Sequence, residues 1–178
     1  MENLEHLKYP IGHFICPEQI TVLQIKEWIK ALETFPKRLE GVVGDLTESQ
    51  LETPYRQGGW TVRQLIHHIA DSHHHSYTRF KWALTEENPI IKAYEEKKWS
   101  DLLDAHTAPT NISLHYLNAL HLKLVFLLKG LSEEQLTSSY VHPVDNRKVS
   151  VGENMGKYAW HGNHHLAHIQ NLIKREGW

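Results

Sequence analysis

Fifteen histidines stand in a chain of 178 residues, nearly as many as the 19 lysines and arginines together. They gather in three clusters: His67-His68, His73-His74-His75, and His161/His164/His165/His168. Imidazole is the commonest protein ligand for zinc and also suits nickel, and its charge switches near neutral pH, so this clustering points first to metal binding. The clusters lie mid-chain or inside a helical segment, which separates them from a terminal tag. Cys16 is the only cysteine, which excludes an internal disulfide and a multi-thiolate metal site.

Spacing ranks the histidines. His161 and His165 are an i, i+4 pair, so both imidazoles leave one helix face a turn apart. They point beside an apolar stripe of Val151, Met155, Ile169 and Ile173. His164 and His168 form a second i, i+4 pair, rotated about 60° toward the polar side. Either pair suits chelation; the first lies nearer the inward direction. In the segment after Trp60, the stripe Val62, Leu65, Ile66, Ile69, Phe80 and Leu84 contains His73 and carries His68 on its flank. His67 and His74 point away from that stripe, so His68 is the better candidate of the adjacent pair. Ser72 and Arg79 share the flank of His68 and suit a pocket wall or a solvated helix face equally. Asp71 lies on the far side of His68, Glu153 reads as a capping residue, and Cys16 has no visible activating neighbour. Trp60, Trp160 and Tyr158 suit either a pocket wall or the core.

Four long helices must position these side chains, with no competing β alternation. The first is expected from about Pro17-Glu18 to Leu39, with Pro36 kinking or stopping it. The second starts at Thr61, whose pairing with Gln64 fits a capping box, and runs to about Thr85. The third spans Thr110 to Lys129 and is closed by Gly130. The fourth starts at Ser150, with Glu153 as a second capping box, and reaches Arg175 before Gly177. The stretch Tyr140–Val149 reads as a loop or short hairpin. Leu46–Leu51 followed by Tyr55 echoes Leu131–Leu136 followed by Tyr140 at identical spacing, consistent with two similar helix–loop–helix halves in a four-helix bundle.

With Trp60-Thr61-Val62-Arg63-Gln64-Leu65-Ile66-His67-His68-Ile69 and Trp160-His161-Gly162-Asn163-His164-His165 placed on helices, the chain resembles the DinB-like superfamily, and within it the YfiT-type subgroup described as metal-dependent hydrolases. The likeness runs from the lead-in Tyr9-Pro10-Ile11-Gly12 to the last helix. It implies an all-α fold, a four-helix bundle of unusual topology with long connections and short extra helices. It also implies a homodimer and a three-histidine site, mapping the ligands onto His68, His161 and His165. Many superfamily members carry another residue where His168 stands, which leaves the role of His168 open.

Three imidazoles leave open coordination positions, where water completes the shell. One divalent transition metal per chain, zinc ahead of nickel, would there activate water against a small-molecule substrate. The same centre suits a low-molecular-weight thiol of the bacillithiol type, giving S-transfer, and a non-catalytic metal-binding protein is the third reading. Length fits one domain over residues 1–178. A formal charge of −2 gives no basic excess for nucleic acid, no stretch is apolar enough to span a bilayer, and the start lacks a secretion signal, so a cytoplasmic protein is expected.

Overall fold

Three of the four long helices in this chain begin where a side-chain oxygen reaches a free N–H group of the first turn; the other follows Pro109 without such a cap. The computed structural model describes residues 5–178. Its four long helices are α2 (Val22–Val43), α4 (Val62–Thr85), α7 (Thr110–Lys129) and α9 (Val151–Glu176). Shorter pieces lie before and between them: α1 (Glu5–Lys8), α3 (Glu48–Leu51), α5 (Glu96–Ser100), α6 (Leu103–Thr107), α8 (Glu133–Thr137), and strands β1 (Ser139–His142) and β2 (Arg147–Ser150). Thr21 and Thr61 close reciprocal capping boxes with Gln24 and Gln64. The Thr21 box starts the first long helix a turn later than the sequence suggests. Ser150 accepts from the Glu153 N–H, but the Glu153 carboxylate turns instead to Arg147 at 2.6 Å, so the expected second box is one-sided.

Pro36 does not stop α2; the helix continues to Val43. The missing proline N–H leaves the Leu32 carbonyl, one turn back, without its usual helical partner. That oxygen is taken by a histidine from α7, described below. Gly130 ends α7 with φ −94°, whereas Gly177 closes α9 at φ 73°, the left-handed conformation that favours glycine.

Around the bundle, α2 packs against α7 and α9, and α4 packs against the same two helices. Chain-consecutive α2 and α4 therefore stand diagonally, as do α7 and α9. Each diagonal requires a long connection, and the two connections are built alike. Residues 44–61 hold α3, capped by Thr47 with Gln50; residues 130–150 hold α8, capped by Ser132 with Gln135. After the short helix, Pro54 bridges Thr61, while Ser139 pairs with Ser150 in the β1–β2 hairpin. The first N–H of each following helix then bonds back across the connection, Val62 to Thr53 at 3.1 Å and Val151 to Ser138 at 2.8 Å. The internal echo is thus a repeated device that delivers the caps of α4 and α9.

Two apolar clusters fill the bundle. One contains Leu32, Phe80, Leu124 and Met155; the other contains Leu39, Ile69, Leu117 and Leu166. On three helices a histidine falls between them: buried His73 between Ile69 and Phe80, buried His121 between Leu117 and Leu124, and part-buried His161 between Ala159 and Leu166. A polar layer crosses the middle of the core. Among the described residues, no helix is long and apolar enough to cross a membrane.

Candidate metal centre

The layer converges on three side chains from two helices. One ring nitrogen from each of His68, His161 and His165 lies within 4.8 Å of the others. The Nε2 atoms of His161 and His165 are 3.1 Å apart, close to the roughly 3.3 Å expected between two nitrogens that share one tetrahedral cation at about 2.0–2.1 Å. Trp60 covers His68, with ring centroids 4.5 Å apart. Burial pushes His68 down to about 4. His161 and His165 are held well below the usual histidine range, by burial first and by neighbouring imidazoles second. All three rings are neutral at neutral pH, the form that ligates.

The tautomer of His161 follows from a buried chain of contacts that starts at Pro36. The Leu32 carbonyl can only accept, so His121 Nδ1–H donates to it at 2.7 Å. Burial holds His121 at about 4, so the ring is neutral and its Nε2 carries a lone pair. That lone pair accepts from His73 Nδ1–H at 2.9 Å, and His73 Nε2 in turn accepts from His161 Nδ1–H at 3.3 Å. The His161 Nε2 lone pair is left facing His165. Outer hydrogen bonds of this kind orient ligating histidines and fix which nitrogen is free. Phe35 stacks on His73 at 5.4 Å, and Gly162 makes room for it: a Cβ there would lie 3.0 Å from the Phe35 ring.

Several histidines are placed otherwise than the helical wheel suggests. His67, expected to point outward, is 6% exposed; its Nε2–H donates to the Ala108 carbonyl at 3.1 Å and its Nδ1 meets Ser113 at 2.7 Å. The reason is packing around α4, which also contacts α5 and α6, so both faces of the His67-His68 pair are covered. His164 and His168, expected toward the polar side, are also buried, with their Nε2 atoms 3.1 Å apart. Trp160 stacks on His164, and Tyr55 packs on His168 at 4.2 Å. These two form a second possible metal-binding group with His165. His74 does lie outside, hydrogen-bonded to Tyr116.

Of the remaining candidates, Ser72 touches the site: its Oγ is 3.4 Å from His161 Nε2 and 3.4 Å from the Tyr158 hydroxyl. Arg79 is buried rather than solvated. The Asp71 carboxyl is pushed up to about 6, by burial and then by Asp104. The Cys16 thiol is raised, mainly by burial, which is the wrong direction for a nucleophile. His121 carried no signal of its own in the sequence; only its meeting with the carbonyl freed by Pro36 gives it a role.

Helix order, diagonal connections and the histidine cluster define a DinB-type bundle. The DinB superfamily model matches residues 31–169, and the chain belongs to that superfamily. It is 50% identical over 171 residues to a protein of Oceanobacillus iheyensis, covering 96% of this chain and 98% of the relative. It is 46% identical over 173 residues to YfiT of Bacillus subtilis, covering 97% of each. Both relatives carry the name "Putative metal-dependent hydrolase". The solved structure of YfiT, described as having "an unusual four-helix bundle topology", matches with a TM-score of 0.96 over 97% of this chain and 99% of that one.

Proposed function

We propose that this protein is a metal-dependent hydrolase acting on a small molecule, with one divalent cation, zinc ahead of nickel, held by His68, His161 and His165. The observation that carries the reading is the convergence of three neutral imidazoles, one of which has its free lone pair dictated by a carbonyl-anchored chain. The names of the relatives support the same class. A cation in such a set supplies Lewis acidity toward water and toward a substrate oxygen. The chain's own residues do the rest. The two apolar clusters draw side chains from both α4 and α9, Trp60 and Tyr158 flank the histidines, and the Ser72 hydroxyl lies 3.4 Å from His161 Nε2.

Metal analysis of the purified protein tests the site. Wild type is expected to hold one zinc or nickel per chain, and His68→Ala and His165→Ala well below one tenth of that. Full occupancy in both variants would overturn the ligand set. A panel of small esters, amides and phosphoesters, run with and without a low-molecular-weight thiol, tests the reaction. Turnover without thiol supports hydrolysis; strict dependence on thiol replaces it with S-transfer. The homodimer belongs to the same proposal, and light scattering that returns a monomer mass would remove it.

A further inference from the structure

Helix α4 carries two buried arginines, and they are satisfied very differently. Arg63, 5% exposed, bonds Glu52 at 2.5 Å, Glu48, and the Ala108 carbonyl at 3.1 Å. Arg79, 7% exposed, has no carboxylate within ion-pair distance among the described residues. Among the described residues its hydrogen-bonding partners are two phenols: Nη1–H donates to the Tyr158 hydroxyl at a long 3.5 Å, and the oxygen of Tyr140, whose own O–H goes to Asn154, is the other. A guanidinium has five N–H donors and stays charged, so burying it against two phenols leaves most of its hydrogen-bonding capacity, and all of its charge, unmet. Arg63 shows that the same helix can supply carboxylates to a buried arginine. At Arg79 none is supplied.

The groups around Arg79 are donors as well. Tyr158 accepts from both Arg79 and Ser72, so its own O–H is left to donate. Among the described residues the buried Tyr94 hydroxyl makes no hydrogen bond of good geometry, Ser72 being close enough only to act on it, and His75 Nε2 is buried without a partner, in a ring stacked on Tyr94 at 4.1 Å. Burial holds the Tyr94 phenol well above its usual range, so it stays protonated; Ser72 and Tyr158 are among its polar neighbours. Outside this ring, Arg79 acts on Lys157 and His142, Glu153 is already paired with Arg147, and the carboxylates of Glu96 and Asp71 act on Tyr94 rather than pairing with Arg79.

We infer that Arg79, with the hydroxyls of Tyr158 and Tyr94, forms an oxyanion-binding subsite that receives a carboxylate or phosphate group of the substrate. Ser72 ties this subsite to the histidines, because its Oγ reaches both Tyr158 and His161 Nε2 at 3.4 Å. A small molecule with its anionic group on Arg79 therefore presents its reacting bond to the histidines only a few bonds away. The substrate class is a small organic acid or phosphate ester rather than a neutral compound. Placing the anion on a substrate rests on the metal reading; binding of the anion to Arg79 does not.

The test uses the metal-free full chain, so that no anion is captured by a cation. Inorganic phosphate and acetate are titrated by calorimetry into wild type, Arg79→Gln and Arg79→Lys. Wild type is expected to bind at least one of the two anions at one site. Arg79→Gln is expected to bind it at least tenfold more weakly, and Arg79→Lys, which keeps the charge but not the planar fork, several-fold more weakly. Metal content on reloading is expected to be unchanged in both variants. Circular dichroism checks folding; if Arg79→Gln loses helix, the lysine variant decides. Equal affinity in the folded variant and wild type, or no binding of either anion by wild type, overturns the subsite. A wild type that binds phosphate but takes up no metal would sink the hydrolase reading and leave the subsite standing.

Discussion

Helices α4 and α9 start from equivalent devices and end with unlike chemistry. Counted from their caps Thr61 and Ser150, the histidines His161, His165 and His168 of α9 stand where α4 has Ser72, Ser76 and Arg79. His68 of α4 stands where α9 has Lys157, and His75 where α9 has His164. Even the connections match: Tyr55 packs on His168, and its counterpart Tyr140 lies near Arg79, the counterpart of His168. One half of the pattern offers neutral lone pairs, which suit a cation. The other offers N–H and O–H donors, which suit an anion. A repeated scaffold can therefore carry two complementary binding chemistries, because the caps and connections set where a position lies and the side chain alone sets its sign.

Matched positions give the strongest way to break that comparison. His165→Ala is expected to abolish metal retention, whereas Ser76→Ala, at the equivalent place on α4, is expected to keep one metal per chain. Loss of metal in both, measured by elemental analysis, would mean that the two halves do not divide the labour. Acid is the next lever, and it acts on the buried polar layer between the apolar clusters. His121 has a folded pKa of about 4 against the ordinary 6.5, so the folded state resists the proton that the unfolded chain accepts. Stability of the metal-free protein is full above pH 6.5 and falls as pH drops toward 4, by up to about 3 kcal/mol for this one residue. Urea unfolding at a series of pH values reads this directly, and a flat profile between pH 7 and 5 would refute it.

Pro36 makes a more selective test. In Pro36→Ala the restored N–H competes for the Leu32 carbonyl and loosens the anchor of the His121–His73–His161 chain. A roughly tenfold loss of metal affinity is expected, the lower end of the ~10–100-fold effects seen for outer-shell partners, with helix content retained or raised. Unchanged affinity by competition with a chelator would show that the chain does not set the His161 tautomer. The smallest effects belong to the caps. Thr61→Ala and Ser150→Ala should each cost about 1 kcal/mol. The Thr61 change should cost slightly more, because only Thr61 has a reciprocal glutamine. Denaturation midpoints in the reverse order would contradict the cap geometry.

Local rules served well where the physics is local. Thr61 with Gln64, Ser150, and the Lys129-Gly130 end located three of the long helices within a residue or two, since capping involves only neighbours in sequence. Pro36 is a weaker stop signal for a related reason: the helix runs past it to Val43, and a side chain from another helix takes the oxygen that the missing N–H frees. Burial of His67, His164, His168 and Arg79 was likewise illegible, because a wheel gives an angle and not what stands opposite it.

The histidine surplus that first pointed to a metal is a property of the sequence, as are the i, i+4 pairing of His161 with His165 and the helices that carry them. Each follows from residue type and a repeat of about 3.6 residues per turn. The tertiary structure alone decided which nitrogen of His161 is free, and that Arg79 lies buried beside Tyr158 without a counterion among the described residues. Both outcomes depend on contacts between helices far apart in the chain. Those contacts exist only once the diagonal connections have brought α4 and α9 together around one polar layer.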